Sequence, residues 1–402
     1  MTFRLAEIVE SNTVVKVVGV GGGGGNSIDR MVSNNLRGVE LITADTDMQS
    51  LNKSLATIPM KLGANVTKGL GTGGDPVKGM EAALESIEDL RKTLKGSDLV
   101  FVTAGLGGGT GSGAAPVVAR VAKELGALTA AVVTKPFSFE GAVRMQNAQQ
   151  GWEELRKYTD AIISVPNDSL LALMEKKSTL YDMFWLADTV LYHAVKGITD
   201  LINFPGYISV DFADLKAVMR DTGTAVIGFG SAVGENRAME AAENAINTEL
   251  LEHDVANAAC GLLINIAATE ESLTMVEFME ASVFIREKVD SKKIFVVIGA
   301  VIDESLGDEF RVTVIATGVE KLPQQDNNNS SFSQKKNRQK ECANKEMRTA
   351  SVDPVPTHKV LPTSDFVSRP FNQEANSKDK NSELSDEQLA IPTYLRKPKE
   401  DF

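Results

Sequence analysis

The sequence predicts an α/β protein: a mostly parallel sheet with helices on both faces, followed by a second, smaller α/β unit. Three observations carry that prediction. Short, β-branched apolar runs alternate with helical patterns along residues 14–318. Two of those runs pass directly into glycine-rich turns. A long helical pattern over 178–203 divides the alternation into two halves.

VVKVVGV (14–20) reads as a buried strand, followed by Gly21 to Gly25 and a helical pattern from Asn26. VELITAD (39–45) is the next strand and a charged helix is expected over 76–95. DLVFVTA (98–104) is a strand leading into LGGGTGSG and a helix from Ala114. ALTAAVVT and AIISVP are two more strands. In 178–203, Met183, Ala187, Val190, Ala194, Ile198 and Leu201 recur at helical spacing, and Asn203-Phe204-Pro205-Gly206 is a stop signal. The second unit reads as strand TAVIGFG, helix RAMEAAENAINTELL, strand GLLINIAA, helix LTMVEFMEASVFIREKV, and strands KIFVVIGAVI and FRVTVIATG. Beyond Gly318 the composition turns polar through QQDNNNSSFSQKKNRQK. Such a segment cannot bury enough surface to offset its chain entropy, so 319–385 reads as a disordered linker. The end, 386–402, becomes apolar again at Ile391, Tyr394 and Leu395, as a partner-binding peptide does.

Composition narrows the function. A net charge of −12 argues against a nucleic-acid partner. No apolar run is long enough to insert in a membrane, and MTFRLAEIVESN is too acidic for a secretory signal. Two cysteines suit a reducing cytosol, with Cys260 expected to be a small buried hydrophobe. The three histidines show no metal-ligand spacing, and no metal ligands are assigned.

The chemistry sits in the two glycine turns. Each follows a strand and opens a helix, where backbone N–H groups and the helix dipole favour an oxyanion. No G-x-x-x-x-G-K-[ST] is present, which excludes a P-loop. A dinucleotide is the competing ligand: Gly19 to Gly24 satisfy G-x-G-x-x-G and Asp45 stands where a ribose carboxylate belongs. That alternative leaves GGGTGSG (107–113) without a task.

GGGTGSG and GVGGGGGN (19–26), with TAGLGGGTGSGAAPVVA, VVTKPFSFEG, VPND, VDFADLK, GENRA and RVTVIATG, resemble the tubulin/FtsZ family almost continuously over 14–318. The resemblance implies a Rossmann-like GTPase domain (14–180) after an N-terminal extension (1–13). It also implies a central helix (181–204) and a C-terminal α/β domain with a catalytic loop (205–318). Protomers are expected to stack head to tail into a homopolymer that hydrolyses GTP to GDP, with Mg²⁺ accompanying the nucleotide. In that family the protein is cytoplasmic and acts at the mid-cell division ring. IPTYLRK is similar to the family's tail peptide, which docks on membrane-tethering division proteins.

Carried onto this chain, the resemblance places Gly22, Gly23, Gly24, Gly25 and Asn26 around phosphate and base, and Gly109, Thr110 and Gly111 on the phosphate tail. Phe184 and Asp188, four apart on one helix face, would lie at guanine, whose N1–H and 2-amino group a carboxylate can accept together. Glu140 and Arg144 would contact ribose and phosphate; by themselves they read as an exposed ion pair. Asp211 and Asp214 would polarise the water attacking a neighbour's nucleotide; by themselves they read as a helix cap. Asp45, Asp75 and Ser209 depart from the family's usual asparagines. Two added carboxylates near a polyphosphate repel it unless a cation intervenes, which keeps a non-hydrolysing structural paralogue in view.

Overall fold

The computed structural model describes residues 13–171, 177–203, 206–208, 210–247, 259–289 and 294–319. The linker expected at 319–385 and the peptide expected at 386–402, with Ile391, Tyr394 and Leu395, lie outside the described residues apart from Val319, as does Ser209.

Strand β1 (Val15–Val20) lies at the centre of the first half, paired in parallel with β2 (Glu40–Asp45) on one side and β4 (Leu99–Gly105) on the other. β3 (Ile58–Lys61), β5 (Leu128–Lys135) and β6 (Ala161–Pro166) extend the sheet outward. β3 escapes the sequence reading because Pro59 interrupts its short run; as the edge strand it tolerates the missing N–H. Alternate residues of β1 enter different cores. Val15 and Val17 face one apolar layer, and Val18 and Val20 the other.

Helices α1 (Gly21–Ser33), α2 (Met48–Leu51), α3 (Pro76–Glu85), α4 (Ile87–Leu94), α5 (Gly109–Glu124), α6 (Ala142–Arg156) and α7 (Asn167–Leu170) fill the crossovers. The charged helix expected over 76–95 is two helices. Ser86 leaves helical geometry, and its Oγ accepts from the Gly63 N–H at 3.0 Å. Glu85 accepts from the Asn65 and Val66 N–H groups at 3.0 and 3.1 Å. Pinning the 63–66 loop takes precedence over helix continuity.

The long α8 (Leu180–Asn203) follows, then α9 (Phe212–Met219) and β7 (Gly223–Ala232). β7 pairs with β6 in parallel over only three residues, from Ala161↔Gly223 to Ile163↔Ala225. Antiparallel β10 (Phe310–Thr317) joins β7 to β8 (Gly261–Ala268), and β9 (Phe295–Ile302) closes the edge. α10 (Arg237–Ile246) and α11 (Met275–Lys288) cover this part of the sheet. Cys260 is half-buried rather than buried.

Arg237, from the GENRA segment, ties this second half together. Its guanidinium donates to both Glu277 oxygens at 2.6 and 3.2 Å, to the Asp308 carbonyl at 2.9 Å and to the Ser272 carbonyl at 2.5 Å. Glu277 completes a capping box with Thr274 at the start of α11. Arg237 is buried and Glu277 half-buried, so removing the guanidinium takes from the carboxylate its charged partner and leaves it the Thr274 bonds. Arg237→Met should therefore cost about 1–3 kcal/mol in urea unfolding, as the hydrogen bonds to Glu277 and two carbonyls are lost, with the first half of the sheet unaffected in whatever fraction remains folded.

Candidate nucleotide site

The parallel register of β1 and β4 sets Val20 opposite Ala104, so both strands end at one level and release their glycine turns side by side. The helices start earlier than expected: α1 at Gly21 rather than Asn26, and α5 at Gly109 rather than Ala114. Most of the glycines are thus first-turn helix residues and not loop residues. Val20 and Gly108 are the N-caps, neither with a capping side chain, and neither first turn carries an acid. By contrast α2, α3, α9 and α11 are capped by Asp47, Asp75, Asp211 and Thr274. Two adjacent helix starts therefore keep their orphan N–H groups and partial positive charge for an outside acceptor.

The glycines divide by task. A Cβ on Gly24 would lie 2.5 Å from the Thr103 carbonyl, and one on Gly111 2.4 Å from the Gly105 carbonyl. One on Gly109 would lie 2.2 Å from Thr72 Oγ1 and 2.7 Å from the Asp75 backbone. Gly25 is buried against Thr43. These permit close packing. Gly22 and Gly108 differ, since a Cβ there would meet no atom within 4 Å. They face open space, beside exposed Gly23 and Asn26. Gly108 is a residue the sequence reading passed over inside GGGTGSG. Thr110 is buried with its hydroxyl bonded to that of Thr46 at 2.7 Å, so the group it holds in reserve is its backbone N–H.

The predicted base contacts gather at the same end. Asp188 accepts from Ser27 Oγ at 2.9 Å, which seats α8 on the second turn of α1. Burial pushes its carboxyl up to about 6, against the pull of the Ser27 hydrogen bond and Arg30. Phe184 is 42% exposed and meets Phe137 edge-on at 5.6 Å. Glu140 accepts from the Phe137 N–H at 2.9 Å and pairs with exposed Arg144, whose carbonyl lies against Gly107. Asn167, in the VPND segment, is a further candidate that was not singled out: it is 5% exposed, and its side-chain oxygen is buried without a partner. An orphaned buried amide oxygen on a helix packed against α8 is an acceptor in want of a donor.

Two of the expected acids behave differently. Asp45 is 3% exposed and bends back to accept from the Thr46 and Asp47 N–H groups at 2.7 and 3.4 Å. A carboxylate buried and engaged within its own loop is a poor ribose ligand, which weakens the case for a dinucleotide. Burial raises its pKa. Asp75 caps α3 through the Val77 N–H at 2.9 Å. Among the described residues no three His, Cys, Asp or Glu side chains are grouped to hold a metal. A divalent cation here would depend on phosphate oxygens for its ligands.

Asp211 and Asp214 are not brought to this site. Asp211 caps α9, accepting from the Asp214 N–H at 2.7 Å, beyond the far end of α8.

Two uncapped helix starts at adjacent strand ends, with a long helix carrying an aromatic and a carboxylate packed against one of them, make an α/β protein suited to a nucleotide. The description Tubulin/FtsZ family, GTPase domain, matches residues 14–175, and FtsZ family, C-terminal domain, matches 223–320. The chain is 49% identical to the cell division protein FtsZ of Coxiella burnetii over 79% of its own length and 82% of that protein. It is 48% identical to that of Pseudomonas aeruginosa, over 79% and 80%. Its fold matches an FtsZ dimer from M. jannaschii with a TM-score of 0.75 at 40% identity, over 80% of this chain and 97% of that one. CetZ2 from Haloferax volcanii shares the fold with a TM-score of 0.66. The chain belongs to the tubulin/FtsZ family, in its FtsZ branch, and its GTPase domain binds GTP and GDP.

The division of the glycines gives a direct test. Gly22→Ala should keep or slightly raise the melting temperature, since alanine favours a helix by about 0.5–1 kcal/mol. It should also weaken GTP binding about tenfold or more, by putting a methyl in the phosphate cradle. Gly24→Ala should destabilise the fold by about 1–3 kcal/mol through overpacking. Calorimetry of both variants, with and without nucleotide, separates the two effects.

Proposed function

We propose that this chain is a GTP-dependent polymer of bacterial cell division whose hydrolytic site is completed by a second copy. The observation that carries the reading is the separation of base-reading and acidic residues along α8. From Phe184 to Asn203 the helix rises roughly 28 Å at 1.5 Å per residue. The chain does not then double back, because the Ile208 carbonyl accepts from the Ala300 N–H at 3.1 Å and α9 packs on β8 and β9. Asp211 and Asp214 are therefore remote from their own glycine cradle and serve that of a neighbour.

In this reading the N–H groups at Gly22, Gly23 and Gly108 to Gly111 bind the phosphates. Asp188, Phe184 and Asn167 read guanine, and Glu140 and Arg144 close over ribose and phosphate. Asp211 and Asp214 orient water, and Mg²⁺ enters with the nucleotide to neutralise phosphate charge. Asp45 directs its carboxylate at the Thr46 N–H and Asp75 at the Val77 N–H, so each added acid is engaged within its own segment. That favours a hydrolysing protein over a non-hydrolysing paralogue. Relatives near half identity are named cell division proteins, and the M. jannaschii structure is described as an FtsZ dimer. Division at mid-cell, in the cytoplasm, and docking of Ile391, Tyr394 and Leu395 on membrane-tethering division proteins complete the proposal. Those two elements rest on the sequence resemblance.

The test must spare the cap on α9, which alanine at Asp211 would remove at a cost of about 1 kcal/mol. Asn caps as well as Asp but carries no charge. Asp211→Asn and Asp214→Asn should each lower turnover about a hundredfold or more while GTP affinity and melting temperature stay within error. Wild-type specific activity should rise above a threshold protein concentration, and mixing in either variant should depress activity beyond dilution. Turnover strictly proportional to protein at every dilution would defeat the shared site.

A further inference from the structure

We infer that Arg30, held against the ring of Trp185, is a positioning residue for Asp188 that keeps its carboxylate in the form guanine requires. The inference rests on the guanine reading of Asp188 proposed above. α1 and α8 lie side by side, each offering two residues one turn apart: Ser27 and Arg30, Trp185 and Asp188. Two contacts join them. Ser27 Oγ donates to Asp188 at 2.9 Å, and the Arg30 guanidinium carbon sits 4.4 Å from the Trp185 ring centroid. A guanidinium over an indole face gains a cation–π attraction and loses little hydration, so the stack holds a cation that would otherwise swing into solvent. Trp185 remains 41% exposed, which is wasteful for a core residue and reasonable for a platform.

The charged groups acting on Asp188 both come from α1. Asp29 opposes its ionisation and Arg30 favours it. Asp29 is turned to the opposite side, where it accepts from the Leu55 N–H at 2.7 Å and Ser54 Oγ at 3.2 Å. Burial is the largest influence and raises the carboxyl; the Ser27 hydrogen bond and then the Arg30 cation pull it back, and the balance stands at about 6. A protonated carboxyl presents a hydrogen where guanine presents two donors, and the paired contact is lost. Arg30 thereby sets the acidic limit of guanine recognition without touching the base.

The experiment is a fluorescent-GDP titration from pH 5.5 to 8.5 on the wild type, Arg30→Met, Arg30→Lys, Trp185→Ala and Asp188→Ala. Phosphate titrates in the same range but is common to all five proteins. Wild-type affinity should fall on acidification with a midpoint near 6. Arg30→Met and Trp185→Ala should move that midpoint up by about one pH unit. Binding then weakens about fivefold at pH 6 and is unchanged at pH 8.5. Arg30→Lys should follow the wild type, and Asp188→Ala should lose the carboxyl-dependent limb. Superimposable wild-type and Arg30→Met curves overturn the inference and leave the guanine reading intact. A loss in Arg30→Met that is equal at every pH also overturns it, showing an ordinary structural contact. A wild-type affinity that matches Asp188→Ala across the range, with GDP no better than ADP, overturns the guanine reading and this inference together.

Discussion

The register between β1 and β4 is the constraint on which the site depends. Because Val20 and Ala104 end at one level, α1 and α5 begin within a few ångströms of each other. A Cβ on Gly21 would lie 3.0 Å from the Gly111 nitrogen, and one on Gly23 would lie 3.1 Å from the Gly105 Cα. No side chain fits between two backbones at that distance. The same closeness concentrates two sets of orphan N–H groups on one volume, and neither helix spends a side chain on capping them. An anion bound there satisfies donors that the protein alone leaves to water, so nucleotide occupancy and fold stability are linked.

The second constraint is α8, whose N-terminal half is seated on α1 through Asp188 and whose later turns are bolted to the second half of the sheet. The bolts are polar. Lys196 bridges Asp200 at 2.5 Å and Asp303 at 3.3 Å, and Asn265 donates to the Gly197 carbonyl at 2.9 Å. His193 stacks on Phe229 at 4.2 Å, and burial, with Arg311 and Lys196 nearby, holds it down to about 4, so it stays neutral. Gly197 lets Thr313 approach, a Cβ there falling 2.7 Å from the threonine methyl. A helix fixed at both ends acts as a spacer of set length, and that length keeps the Asp211 cap away from the nucleotide its own chain binds.

Several elements were legible because their signals are local. AIISVP and GLLINIAA match β6 and β8 residue for residue, as short apolar runs bounded by breakers do. The capping geometry of Asp211 over Asp214 followed from their spacing alone. The helix starts at the glycine turns were not legible, since propensity counts glycine against a helix. Packing against β4 and α3 overrides that count, because only glycine can pack there. The break at Ser86 was hidden for the opposite reason. Its helical pattern is intact, and the competing claim on Glu85 and Ser86 comes from a loop about twenty residues away.

Local pattern therefore determined what kind of chain this is: an α/β protein with two glycine-rich strand-to-helix turns, an aromatic–carboxylate pair four residues apart and an acidic pair three apart. Periodicity, glycine placement and side-chain chemistry act over a few residues and survive in one dimension. Tertiary structure decided which way each group faces. It turned Asp45 into its own loop, set Gly22 and Gly108 against open space while the other glycines of the two turns pack closely, and left the buried Asn167 side-chain oxygen without a partner. It also laid Arg30 over Trp185 beside Asp188. Those outcomes depend on distances between segments far apart in the chain, and burial, desolvation and steric contact are properties of such distances alone.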